Sequence, residues 1–500
     1  MMKKSILSAA AVLAAVSVFA ADPGTVKKEG GVGFRFDDNH PLAKWKAMAA
    51  VFDKHHAPLM YAVIFRPNCF NDEQKAFLRG LVERGHEIMD HTPNHSAFKF
   101  VAEDAEKYAR ESWVDHVNGK IVYLKYERRN DEPAGEKPVK FKADLEGSKV
   151  VIPKEFQKYF LPENGQMIYD GKVYAVSPDR KNPGSFTART FWGEPVKFKP
   201  VKGADVTTAS KRFGFSATEA GMGKLAELTA IECKKIGIPA PTAWIQPGGY
   251  EAILQADNVR QGYAKHGYIC AATYQNSANK IYCETNPERC AYAMMWGQLH
   301  LDRDPLPRLK EQIADAYAKH QVFFASSHMS PGKKLTWEDF LKLHDELLAW
   351  LNEVKIPVRT QSDWAKRLYY SKTDPAENIF PAWTVDLDKN GRPDGYNKLP
   401  PGVTIGANGE LTAANKGFVF AINRLGGLEK GENTLKLDVK SGKVQVKINF
   451  FQRYRKIGDT LTLDGAENKF TVPADADFAD IVVYNVGSEP LVLAGAALNR

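Results

Sequence analysis

Cysteine is scarce in this chain of 500 residues: five, at positions 69, 233, 270, 283 and 290, with no two spaced as Cys-x-x-Cys. That excludes a zinc finger or ribbon built on thiolates. An odd count leaves at least one thiol unpaired, and Cys283 and Cys290, which flank a short polar loop, are the best candidate pair. Long apolar runs are scarce too. One runs from Ile6 to Phe19, behind Lys3 and Lys4 and ahead of Ala20-Ala21-Asp22. It is short for a membrane span and reads as a secretory leader cut after Ala20 or Ala21. No other segment could cross a bilayer, so a secreted or periplasmic protein is expected, in a setting that permits disulfides. Internal repeats, low-complexity segments and nucleic-acid-binding motifs are all missing, so nucleic acid is not an expected partner.

What is present is the composition of a packed protein: 44% apolar residues and 11% aromatics over a length that calls for two or three domains. The net charge is +8, and much of it is local. From Lys120 to Arg212 there are 19 Lys and Arg against 12 Asp and Glu, a difference of +7. A basic lobe of this kind suits an anionic polymer; ordinary variation in surface charge is the alternative.

From Gly31 to Ser112 strand and helix patterns alternate. Strands are expected at 31–36, 59–65 and 86–90 and helices at 41–55, 72–84 and 97–111. The rhythm resumes at Ser216 and continues to about residue 370. A βαβα order implies a largely parallel sheet or barrel. Residues 113–212 interrupt it with short alternating segments and read as a β-rich insertion overhanging the active-site face. After a linker at 371–377, residues 378–500 hold many short strands separated by turn signals such as Asn390-Gly391 and Asp464-Gly465. That predicts a β-sandwich of the jelly-roll kind, for which carbohydrate binding is an expectation. Trp383, Tyr396, Phe451 and Tyr454 are candidates to stack on sugar rings. Asp386-Leu387-Asp388-Lys389-Asn390-Gly391 resembles a calcium-type loop, although a turn explains it as well.

Two motifs carry the chemistry. Gly33-Phe34-Arg35-Phe36-Asp37-Asp38-Asn39-His40 ends a short β-type run in an Asp pair, and His91-Thr92-Pro93-Asn94-His95 follows about fifty residues on. Either alone would be a turn, a cap or a solvated face. Together, each just past a strand, they offer carboxylate and imidazole ligands with a second carboxylate left over as a base.

At these residues the chain resembles the NodB-type polysaccharide deacetylases, carbohydrate esterase family 4. Phe34-Arg35-Phe36-Asp37-Asp38 resembles their TFDD motif and Gly85-His86-Glu87-Ile88-Met89-Asp90-His91-Thr92-Pro93-Asn94-His95 their GHEIxxHTxxH motif. Ile245-Gln246-Pro247-Gly248-Gly249-Tyr250 is similar to their RPPYG-type loop, and Phe323-Phe324-Ala325-Ser326-Ser327-His328 to their late strand ending in histidine. The resemblance covers roughly residues 30–110 and 213–370. It implies a distorted (β/α) barrel and an enzyme that removes N- or O-acetyl groups from a polysaccharide or oligosaccharide. Asp38, His91 and His95 would bind a divalent metal, Zn²⁺ first, with Co²⁺, Ni²⁺ or Mn²⁺ also fitting. Asp37 would be the general base and His328 the acid. A backbone N–H near Gly248 or Gly249 would face the oxyanion, and Tyr250, Arg66, Arg303, His40 and Trp296 are further candidates to line the substrate site.

The chain departs from the family in two places. The third-motif Arg that pairs with the base is missing; Ile245 or Gln246 stands there, and Arg66 or Arg303 is expected to substitute. The Asp-x-x-Asp-Trp signature is absent, which leaves Asp302, Asp304 and Asp363 as candidates to orient His328. Both departures point to an unusual substrate. The rival readings are an inactive glycan-binding protein on the same barrel and a metal hydrolase of another C–N or a glycosidic bond.

Overall fold

The computed structural model describes residues 25–26, 29–95, 98–101, 113–115, 120–122, 139–160, 165–179, 182, 184–190, 195–209, 215–217, 219–245, 247, 262–272, 291–292, 296–301, 304–331, 335–369, 372–373, 378–452, 455–476 and 478–499. The leader, Cys283, Cys290, Gly248, Gly249, Tyr250, Arg303 and Tyr454 lie outside these residues.

The alternating pattern folds as β1 (Gly31–Asp37), α1 (Leu42–Lys54), β2 (Met60–Val63), α2 (Asp72–Glu83), β3 (Glu87–Asp90), α3 (Glu219–Ile236), β4 (Ala243–Ile245), β5 (Cys270–Ala272), β6 (Ala291–Tyr292), β7 (Trp296–His300), α4 (Leu306–Ala318), β8 (Val322–Ser327), α5 (Trp337–Glu353) and α6 (Gln361–Tyr369). The eight strands form one sheet in the order β6-β5-β4-β3-β2-β1-β8-β7. Every pairing in it is parallel. The edges β6 and β7 do not pair with each other among the described residues, so the sheet curls as an open half-barrel.

Strand β1 explains why the two faces differ. Its residues alternate sides. Phe34 and Phe36 point to the helix layer, where both meet Phe52 of α1, at ring-centroid distances of 5.3 and 5.8 Å. Gly33, Arg35 and Asp37 take the other side. A Cβ on Gly33 would stand 2.5 Å from the Phe324 ring, so the close approach of β1 and β8 requires glycine there. Helices α2 and α5 each begin with a capping box, Asn71 with Gln74 and Thr336 with Asp339.

The chain leaves this sheet after β3. The expected helix over 97–111 is corrected in part: Phe98–Val101 is a strand, paired in parallel with Phe215–Ala217 at the point of return. Phe-Lys-Phe-Val alternates with period two, and a partner more than a hundred residues away selects that period over the helical one. Residues 102–110 lie outside the description. Within the insertion, six antiparallel strands between Lys140 and Ala209 close into a barrel of their own, filled by Phe141, Leu145, Phe160, Met167 and Phe186.

Residues 403–499 make two antiparallel sheets of five and four strands. Both contribute to one core, with Leu435 and Leu491 from the first and Val446 and Ile481 from the second. Trp383 and Tyr396 belong to that core, 4% and 1% exposed, and are not available to stack on a sugar. Their polar ends are satisfied inside: Trp383 Nε1 donates to Gly409 O at 2.9 Å and the Tyr396 hydroxyl to Pro381 O. The Asp386 carboxylate accepts the N–H groups of Asn390 and Gly391, which closes that loop as a turn. Arg392 reaches across to Glu311 and Asp315 of α4 at 2.9 and 3.0 Å, joining this unit to the half-barrel.

Candidate metal centre

The residues of both motifs meet at the C-terminal ends of β1 and β3. Asp37 is the last residue of β1 and Asp38 the first beyond it. Asp38 has φ 73°, a left-handed conformation that turns its carboxylate toward the neighbouring strand end. His91 follows β3 directly, and a 3₁₀ turn, Pro93–His95, brings His95 back beside it. Thr92 and His95 are also left-handed, at φ 60° and 55°. Non-glycine residues in this region carry strain, and three of them sit in this one constellation.

Asp38 Oδ1 lies 3.3 Å from His91 Nε2 and 3.2 Å from His95 Nε2. The two imidazole rings stand 4.9 Å apart at 71°. These approaches are short, yet Asp38 Oδ1 is buried without a hydrogen bond. The three ligand atoms lie within 4.8 Å of one another. His91 is oriented from behind: its Nδ1 lies 3.1 Å from Ile245 O and donates to it, which leaves the Nε2 lone pair facing Asp38. Burial pushes the Asp38 carboxyl up, but contact with His91 and His95 more than reverses this and holds it well below its usual range. One carboxylate oxygen and two imidazole nitrogens converging in this way fit a divalent ion of the zinc type.

The loop that carries the histidines is held from below. Asp90 is fully buried and accepts from Thr92 N–H at 2.8 Å, Tyr268 hydroxyl at 2.7 Å and Thr229 hydroxyl at 3.0 Å. Burial pushes its carboxyl up to about 6, against the pull of those three donors.

Arg35 is a cation beside Asp37. Its Nε donates to Asp37 Oδ1 at 2.9 Å, and its Nη2 lies 3.5 Å from Oδ2; neither side chain is exposed. Of the two expected substitutes, Arg66 forms no ion pair with Asp37 among the described residues and Arg303 lies outside them, while Arg35 on the same strand does pair with it. The signal is in the motif itself: residues two apart on a strand share a face, so Arg35 has to point where Asp37 points.

The remaining candidates fall into place around this pair. His40 is half-buried, its Nε2 2.8 Å from Asp37 O, and burial lowers its pKa. His328 is exposed just past β8, close enough to His40 for its charge to be felt there. Lys44 of α1 donates to Met329 O at 3.1 Å and ties the His328 loop down. Neither Asp304 nor Asp363 orients His328. Asp304 pairs with Arg308 at 3.4 Å, and Asp363 with Arg359 and Arg367 at 3.3 and 3.6 Å. Asp302 lies outside the described residues. Trp296 is in β7. Cys69 and Cys233 are free thiols, and burial pushes Cys233 well up.

Fold and site thus define a class: a parallel (β/α) half-barrel with a carboxylate–imidazole cluster at its strand ends. No protein-family model matches the chain, and no curated protein matches it. Some solved structures are similar to it. A family 4 carbohydrate esterase from Streptomyces lividans, in complex with acetate, aligns over 66% of this chain and 91% of its own at 10% identity and TM-score 0.26. A family 4 acetyl xylan esterase from Clostridium thermocellum, with a cobalt ion, aligns over 68% and 92% at 10% identity and TM-score 0.29. A histidine mutant of the lectin-binding domain of lectinolysin, complexed with Lewis b, aligns over 21% of this chain and 89% of its own at 13% identity and TM-score 0.16. The functional reading rests on the side chains of this chain itself.

Proposed function

We propose that this chain is a metal-dependent polysaccharide deacetylase on a distorted (β/α) barrel of NodB type, acting on N- or O-acetyl groups of a glycan, an acidic one. Residues 22–112 and 213–370 would form the catalytic unit, 113–212 its insertion, 371–377 the linker and 378–500 an accessory β-sandwich for glycan. The leader at 1–21 would export it. One observation carries the reading: Asp38 Oδ1, buried without a hydrogen bond, between two imidazole nitrogens at the strand ends and next to a second carboxylate.

Asp38, His91 and His95 would hold the divalent ion. Bound there, it would supply Lewis-acid polarisation of the acetyl carbonyl and a lowered pKa for water. Asp37 takes the proton from the attacking water, held in one orientation by Arg35. His328 gives a proton to the departing amine or alkoxide. His91 keeps its tautomer through Ile245 O.

The test is acetate release from acetylated glycans, neutral and acidic, by the full chain with chelator and with added Zn²⁺. Release that chelator abolishes and Zn²⁺ restores supports the reading. Bound zinc with no release from any substrate overturns it.

A further inference from the structure

Arg66 stands at the edge of this centre without a counter-ion among the described residues. It follows β2 in a loop that is pinned on three sides. Asn39, next to Asp38, clamps Ile64 by a pair of hydrogen bonds, Nδ2 to Ile64 O at 2.9 Å and Ile64 N to Oδ1 at 3.0 Å. Arg66 N–H turns back to Ile64 O at 3.0 Å and Cys69 N–H to Arg66 O at 3.2 Å. Glu232 of α3 accepts the Asn68 N–H at 3.1 Å. The Arg66 backbone is thus fixed beside the metal ligands.

Its guanidinium is half-buried, and Nε is sealed from solvent with no hydrogen-bond partner. Among the described residues no carboxylate forms an ion pair with it. Burial holds its pKa down first of all, and the like charge of Arg189, on the insertion strand Ser185–Thr190, lowers it further. The Asp38 charge acts in the other direction, but Asp38 forms no ion pair with Arg66 among the described residues. The Arg189 charge comes from the insertion, whose segment 120–212 carries a net excess of Lys and Arg. A buried, unpaired Arg donor is costly unless an anion completes it, and the guanidinium fork matches a carboxylate or sulfate with two parallel hydrogen bonds.

We propose that Arg66 binds an anionic group of the glycan next to the acetylated sugar, so that the enzyme selects acidic acetylated chains. This rests on the deacetylase reading for what the site does with the chain, though not for the binding itself. The anionic group is a carboxylate or a sulfate ester, which share this chemistry.

The test uses three acetylated oligosaccharides of equal length: an oligo-uronate, its carboxyl-reduced counterpart and an O-sulfated one. Calorimetry with the zinc-loaded full chain measures binding, and acetate assays give kcat and KM, for the parent, Arg66→Gln and Arg66→Lys. The expected result is that Arg66→Gln cuts the preference for the uronate over its reduced counterpart by about 10- to 100-fold, the worth of a charged hydrogen bond. The loss falls on KM and on the calorimetric affinity, and Arg66→Lys restores part of it. Loss confined to the uronate assigns a carboxylate site; loss shared with the sulfated chain assigns a general oxyanion site. Equal weakening of all three ligands, or an unchanged preference, overturns the proposal. If the parent releases no acetate from any of them, the deacetylase reading fails, and calorimetry still decides the anion site.

Discussion

Arg35 and Asp37 form an ion pair 2.9 Å long from which water is excluded on both sides. Replacing Arg35 with Met would take this partner away from the buried Asp37 carboxylate, a loss of about 3–5 kcal/mol for pairs of this kind. The Arg35→Met protein should unfold at a clearly lower denaturant midpoint and lose acetate release, with Arg35→Lys between it and the parent. An unchanged midpoint would remove the pair from the stability of β1.

The proposed reading gives the neighbours Asp37 and Asp38 separable duties. Asp37→Asn should keep its metal, measured by elemental analysis of the purified protein, while acetate release falls about 10²- to 10⁴-fold, the usual worth of a general base. His91→Ala should lower the metal content itself. Full metal retention in His91→Ala would show that the ligand set is wrong.

His344 lies in α5 among Phe34, Phe36, Phe52 and Phe340, fully buried, and burial pushes its pKa down to about 4 from 6.5. The folded state refuses a proton that the unfolded chain accepts, so stability is full above pH 6.5 and is lost as pH falls toward 4, by roughly 3 kcal/mol. His344→Leu should flatten this limb by about one proton. Urea denaturation at several pH values reads the slope; an unaltered limb would assign it to other groups.

Gly33→Ala should destabilise the fold by about 1–3 kcal/mol, because its methyl group would press into the Phe324 ring. Thermal melts of the two proteins give the comparison, and an equal midpoint would mean that β8 yields without strain.

The half-barrel and its metal-centre candidates are legible in the sequence because their signals are local. A strand, an Asp pair past its end and two histidines four apart need no distant information. Arg35 is legible by the same rule of alternation, yet the search for a substitute Arg leads past it to Arg66, further along the chain. Phe98–Val101 and the closed barrel of the insertion are harder. Lys140 pairs with Thr207, and a window of fifteen residues cannot see such a partner. Trp383 and Tyr396 look like sugar platforms because aromatic residues in an all-β segment carry no mark of which face they occupy; burial in a shared core decides it.

The alternation along β1 also bears on how the chain reaches its native state. A slip of one residue in the pairing of β1 with β8 would drive Arg35 and Asp37 into the Phe52 layer and swing Phe34 and Phe36 toward the cleft. Such a register would bury two ions in hydrocarbon, so a misaligned sheet is rejected by the Arg35–Asp37 pair itself. The strand is its own proofreader: a molecule that has folded at all has already set Asp37 beside Asp38, His91 and His95.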